Sequence, residues 1–337
     1  METREVFSLG DIMQKSVRWG ILGAADFALH HMAPAIHAAR GADLVALATS
    51  DPAKAEGFLA FQPRLTVHSS YEALLADPGV DAVYIPLPNH LHVEWTLKAL
   101  AAGKHVLCEK PITMAEAEFD QLIAARDASG LLAAEAYMIV HHPQFIRARE
   151  LVQGGAIGTL RHADVTFSYN NESDVTNIRN RPETGGGALP DIGVYAFGSV
   201  RFVSGQEPVA VPYAKIRYEN QVDVFNQVVA EFPSFTYSAT ISMRLAPRQE
   251  VVFQGDSGVL RITCPFNANV WDAATLTIEA GGMQVRTERF PGVNHYVHQV
   301  ENFGASVRNG VAYPCPLEFS RGTQRMIDMV FAAGGRP

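Results

Sequence analysis

VRWGILGAADFA, residues 17–28, decides how the rest of the chain is read. Residues 17–23 are mostly apolar and read as a buried strand, after which Gly23, Ala25 and Ala28 lead into a helical pattern. A nucleotide-binding turn needs a glycine where the chain bends sharply. It also needs small residues where backbone amides approach a pyrophosphate at the positive end of a helix. The G-x-A-x-x-A spacing here is a weakened form of that pattern and also fits a tight strand-to-helix packing turn. Its place at the head of a strand–helix series favours the nucleotide, and Gly23, Ala24, Ala25, Asp26 and Phe27 become candidate cofactor contacts.

The series is plain downstream. DLVALAT (43–49) reads as a second strand, DAVYIPL (81–87) and HVLCEK (105–110) as later ones and LLAAEAY (131–137) as a sixth, with helical spacing between them. The pattern predicts an α/β fold whose residues 17–138 form a Rossmann domain, a doubly wound parallel sheet, behind an extension over 1–16. After residue 140 one helix, PQFIRARELVQGG, precedes eight alternating segments from LRHADVTFSY to MQVRTERF, with tight turns such as GDSG between them. These predict a C-terminal α+β domain, 139–337, with a large, mostly antiparallel open sheet. Its last two helical patterns, around YVHQVENFGASVRNG and SRGTQRMIDMVFAAG, can pack back on the first domain.

Composition limits the function. The 337 residues are 47% hydrophobic and 18% charged, with no apolar run long enough to span a bilayer and no secretory leader pattern, so a cytoplasmic protein is expected. A net charge of −8 without a basic tract argues against nucleic acid or an anionic membrane as partner. Cys108, Cys264 and Cys315 are far apart, suggesting neither a disulfide framework nor a thiolate metal site. His90 and His92 are two apart with no third ligand, so no metal is expected; His141, His142 and His295 read as structural.

The second strand ends in Ala48-Thr49-Ser50-Asp51, where an acid would read the ribose of NAD and hydroxyl or basic groups the 2′-phosphate of NADP. Thr49, Ser50 and Lys54 favour NADP, with NAD possible. Asp51 either caps the helix beginning at Pro52 or reaches a ribose hydroxyl. YIPLPNHLHVEW (84–95) stops its strand with two prolines and fixes a turn suited to a nicotinamide wall, making Leu87, Pro88, Asn89 and His92 candidate contacts.

GILGAADFA, YIPLPNHLHVEW, EKPIT, AEAYM and GGGALPDIGVY together resemble the glucose-fructose oxidoreductase / inositol dehydrogenase (Gfo/Idh/MocA) family over nearly the whole chain from residue 17. NIRNRPETGGGALPDIGVY resembles the branch of xylose dehydrogenases and dimeric dihydrodiol dehydrogenases. The resemblance implies an NAD(P)-dependent dehydrogenase acting on a sugar or polyol, a homodimer or dimer of dimers through the second sheet, and Lys110 of EKP beside the nicotinamide, with Glu109 next to it. A lysine at the carboxyl end of a parallel strand also sits where open α/β sheets bind ligands.

Asp191 and Tyr195 lie four apart on one predicted helix face behind three glycines; many family members carry histidine where Tyr195 stands. In the expected mechanism Tyr195 removes the hydroxyl proton, Lys110 stabilises the oxyanion and Asp191 orients the sugar or the lysine, with Lys110 as the alternative base. Tyr137 and Arg179 either line the sugar pocket or are structural. Ile139 and Val140 stand where that branch often has an aromatic and an arginine, and Pro190 is another local variation. Those differences bear on the substrate rather than the reaction. The competing reading is a catalytically idle NADP-binding regulator on the same scaffold.

Overall fold

A computed structural model describes residues 15–282 and 284–336; the predicted extension lies outside them apart from Lys15 and Ser16. The first sheet takes β1 (Val17–Leu22), β2 (Ala42–Ala48), β3 (Thr66–His68), β4 (Ala82–Ile85), β5 (His105–Cys108) and β6 (Ala133–Glu135). Its order is β3-β2-β1-β4-β5-β6, with every pair parallel. The strand order reverses between β1 and β4, which is the switch point where such sheets open a ligand crevice beyond their carboxyl ends. The intervening helices are α1 (Ala33–Ala38), α2 (Pro52–Phe61), α3 (Tyr71–Leu75), α4 (His92–Ala101) and α5 (Phe119–Ser129).

Alternation along the strands divides the core. Leu22, Val83, Ile85, Val106 and Cys108 face one side, packed with Trp95, Leu100 and Phe119. Trp19, Ile21, Leu47, Tyr84 and Leu107 face the other, in a cluster that continues into the second half of the chain. That half holds α6 (Pro143–Gln153), β7 (Leu160–Asn170), α7 (Val194–Ser204), β8 (Ala210–Glu219), β9 (Val222–Glu231) and β10 (Thr236–Ser242). It goes on with β11 (Arg244–Gly255), β12 (Gly258–Ile262), β13 (Thr275–Ala280), β14 (Gln284–Arg289), α8 (His295–Asn309) and α9 (Leu317–Gly334).

The eight-stranded sheet runs β14-β13-β12-β11-β7-β10-β9-β8, and only β7 and β10 are parallel. Val165, Phe167, Tyr237, Ile241, Val251 and Phe253 point into the core. On the opposite face the alternation places Asp164, Thr166, Ser238, Thr240 and Glu250, a polar rather than an apolar surface. Helix α8 returns to the first sheet, where Phe303 meets Trp19 with ring centroids 4.9 Å apart and Arg308 donates to Gly41 O at 2.6 Å.

Candidate active site

The carboxyl ends of β1, β4 and β5 face the end of β7 and the π-helical segment Leu189–Gly193, which carries Asp191 and leads into α7, across a cleft of about 870 Å³. On the first sheet the cleft meets the Gly23 turn. Gly23 has φ +115°, and a Cβ there would lie 3.0 Å from Leu87 Cδ2. Glycine is therefore demanded both by the backbone and by the neighbouring turn. Ala25, Asp26 and Phe27 line the cleft, as do Leu87, Asn89 and His92 from the next turn. Asn89 Nδ2 donates to Gly185 O at 2.9 Å, fastening the two walls together.

His92 is fully buried, with Nδ1 2.7 Å from Pro111 O and Nε2 2.7 Å from Leu87 O. Burial pushes its pKa down to about 4. A neutral ring then donates to one of the two carbonyls, so His92 braces the turns from below. Pro88 does not line the cleft: it opens the short helical turn 89–91.

Thr49, Ser50 and Lys54 stand outside this cavity, at the end of β2 and the start of α2. Asp51 is the cap of α2, accepting from Ala53 N at 3.1 Å, while the Thr49 hydroxyl bonds to the Asp51 backbone. The one carboxylate near the strand's end is thus engaged with a helix N-terminus, and Ser50 and Lys54 are exposed beside it.

The cleft's charge is concentrated at Lys110. Its Nζ donates to Asp191 Oδ1 and to Asp191 O, both at 2.8 Å. Arg179 Nε lies 2.9 Å from Asp191 Oδ2, and the Tyr169 hydroxyl donates to the same oxygen at 2.7 Å. Burial alone would push Asp191 up, but Arg179, Lys110 and the donated bonds outweigh it and hold the carboxyl well below its usual range. Asp191 in turn raises Arg179 further. Beside this group Glu109 is half-buried, desolvation raises its pKa, and it accepts from the Tyr84 hydroxyl at 2.5 Å.

Two expectations need correction. Tyr195 does lie beside Lys110, but it offers its ring face, with Nζ 5.1 Å from the centroid, rather than its oxygen. Its hydroxyl points to Met138 Sδ at 3.4 Å, and burial drives its pKa well up. Burial thus favours the protonated phenol, and its oxygen faces Met138 rather than Lys110. Tyr137 does not line the pocket. It is 1% exposed behind Tyr195, stacked on it at 5.5 Å, and its hydroxyl lies within bonding distance of Val194 O and Tyr195 O.

Sequence reasoning missed Tyr169, Phe167, Tyr296 and Trp271, all of which line the cleft. Period-two alternation in TFSYN puts 167 and 169 on one face of β7 and could have flagged the pair. Nothing local marks Trp271 or Tyr296.

Residues 17–137 match the oxidoreductase family with an NAD-binding Rossmann fold, and residues 145–261 match the GFO/IDH/MocA C-terminal domain. The chain belongs to the GFO/IDH/MocA family. A GFO/IDH/MocA relative, an oxidoreductase of Rhizobium meliloti, is 35% identical over 93% of this chain and 96% of its own length. The D-xylose 1-dehydrogenase (NADP(+)) 2 of Haloferax volcanii is 32% identical over 93% of this chain and 96% of its own. A 3-ketoreductase from Actinomadura kijaniata, solved with NADP and TDP-benzene, superposes with a TM-score of 0.86 at 30% identity, covering 95% of this chain and 98% of that one.

Proposed function

We propose that this GFO/IDH/MocA oxidoreductase is an NADP-dependent enzyme interconverting a hydroxyl and a carbonyl on a sugar or related polyol. The observation that carries the reading is the Lys110–Asp191–Arg179–Tyr169 cluster at the switch point of the nucleotide-type sheet. The relatives that use or bind NADP support the cofactor, as does the end of β2, where Asp51 is spent on a cap beside exposed Ser50 and Lys54. The Gly23 turn would hold the pyrophosphate on backbone amides and Ser50 and Lys54 the 2′-phosphate. When bound, NADP supplies or accepts the hydride.

Lys110 gives two hydrogen bonds to Asp191 and lines the cleft, where it serves as the proton-transferring group and the clamp on the substrate oxygen. Tyr195, held neutral, donates a hydrogen bond. Asp191, fixed by Arg179 and Tyr169, aims the lysine. Lys110 and Arg179, which line the cleft, each pair with Asp191. Asn177, Gln249 and Asn267, with Phe167 and Trp271, line part of the remainder. Amides and aromatic rings suit hydroxyls and C–H surfaces, which fits a sugar or polyol. Nothing in the geometry favours the idle regulator.

Initial rates with NADP and NADPH across neutral aldoses, polyols and a dTDP-sugar test the reading. Turnover of a sugar or polyol is expected, and failure to bind either nicotinamide cofactor or to turn over any member of the panel rejects it. Self-association as a homodimer through the uncovered face of the eight-stranded sheet belongs to the same proposal, and sedimentation as a monomer at micromolar concentration rejects that part.

A further inference from the structure

Asp223 lies outside the cleft lining, yet it touches the backbone on which the cleft depends. In β9 the pairs Arg217↔Phe225 and Tyr218↔Asp223 leave Val224 without a partner on β8. Such a bulge re-aims the next side chain, and Asp223 is turned onto the start of the helix that carries Asp191. Its Oδ2 accepts from Leu189 N at 2.8 Å and from Asn226 Nδ2 at 2.7 Å, and Ala188 N is a further donor. The approach is close enough that a Cβ on Gly187, whose φ is +131°, would lie 2.1 Å from Asp223 Oδ1. Gly187 is itself a junction: its N donates to Arg179 O at 3.0 Å, and its O accepts from Asp191 N at 3.1 Å. Arg179 and Asp191 are therefore joined twice, once by their ion pair and once through the backbone of Gly187, and the Asp223 carboxylate rests on that backbone.

We propose that Asp223 is a positioning residue: its ionised carboxylate fixes the Gly187–Leu189 turn, and with it the Arg179–Asp191–Lys110 cluster, so that activity follows its ionisation. The inference rests on the cleft being the site of hydride transfer. Asp223 is 2% exposed and its partners are hydrogen-bond donors rather than cations. Burial consequently raises its pKa to about 7. Above neutrality the charged form caps the positive helix end; below it the charge is lost and the cap weakens. The titratable and charged groups facing this region titrate elsewhere. Tyr218 of β8, which lines the same small cavity as Asp223 and Arg336, is shifted up, and Asp191 is held far down. Arginine stays charged throughout.

The test is the pH profile of kcat with NADP and the best sugar. The wild type should lose activity with a single ionisation near pH 7 as the pH falls. Asp223→Asn should remove that limb and lower kcat about ten- to a hundredfold at pH 8 while NADP affinity, measured by fluorescence, stays unchanged. Asn226→Ala deletes a donor to the carboxylate and should move the limb to higher pH. A limb at the wild-type position in both variants overturns the proposal, and if Asp223→Asn fails to fold, the Asn226→Ala shift still decides. If no sugar is turned over the functional reading fails separately. Hydrogen exchange over residues 185–195, corrected for intrinsic rates, then reads the turn directly. Protection lost below neutrality in the wild type and independent of pH in Asp223→Asn supports the coupling, and identical pH dependence in the two refutes it.

Discussion

Replacing Lys110 with methionine keeps most of the side chain's volume and removes the ammonium. Asp191 then loses two donated hydrogen bonds at 2.8 Å and one counter-ion but keeps Arg179 at 2.9 Å and the Tyr169 hydroxyl at 2.7 Å. Because the carboxylate retains a cation, the folding cost is that of losing charge-assisted bonds at a half-satisfied site, about 1–3 kcal/mol, and the protein should remain folded. The catalytic cost is larger. General acid–base catalysis contributes about 10²- to 10⁴-fold, equivalent to roughly 3–5 kcal/mol of transition-state stabilisation. Lys110→Arg separates the parts, since a guanidinium keeps the charge and the bond to Asp191 but does not give up a proton near neutral pH. Initial rates followed by NADPH absorbance should fall by at least about a hundredfold in both variants, with NADP binding preserved. Turnover within tenfold of wild type in Lys110→Met would falsify the assignment of proton transfer to this lysine. Recovery in Lys110→Arg alone would show that charge rather than the mobile proton matters.

Further outcomes follow from the same geometry. Tyr195→Phe removes one neutral donor and should cost about 1 kcal/mol, a five- to tenfold loss in kcat/KM, far less than the lysine variants; an equal loss would restore the phenol as the base. Asp51→Ala should lower thermal stability by about 1 kcal/mol through loss of the α2 cap and leave the NADP-to-NAD preference unchanged, whereas a change in preference would mean that the carboxylate reads the ribose. Asp191 has a folded pKa below its unfolded value of about 4, so its contribution to stability is present above that value and lost as the pH falls through the folded one. Urea midpoints between pH 7 and pH 3 should therefore drop less in Asp191→Asn than in the wild type, and parallel curves would contradict the depressed ionisation.

What could be read from the sequence was whatever a short window contains. The strand–helix alternation, the Gly23 turn and the Asp51-Pro52 helix start are local devices, and the structure uses them as local devices. The eight strands of the second sheet were visible because each alternates, though no window could show that β7 and β10 run parallel. β3 escaped because three residues, TVH, are too few to display a period. The site was only half legible. Lys110 and Asp191 announce themselves by position, but which side of Tyr195 meets the ammonium depends on packing against Met138, Phe167 and Phe266, which no spacing encodes. Tyr137 misled for the same reason, since its neighbours in the sequence suggested a pocket and its neighbours in space are carbonyls. Asp223 was invisible, because its importance arises from a one-residue irregularity between two strands.

Helix α8 bears on how the molecule is made. Trp19, the first aromatic side chain of the nucleotide half, is completely covered, and Phe303 is part of the cover. A chain emerging from the ribosome must therefore carry its opening strand unfinished until some 280 residues later, when that helix arrives. A truncation ending before residue 295 would take Phe303 from the indole, and a single cut between the halves would part β1 from that ring.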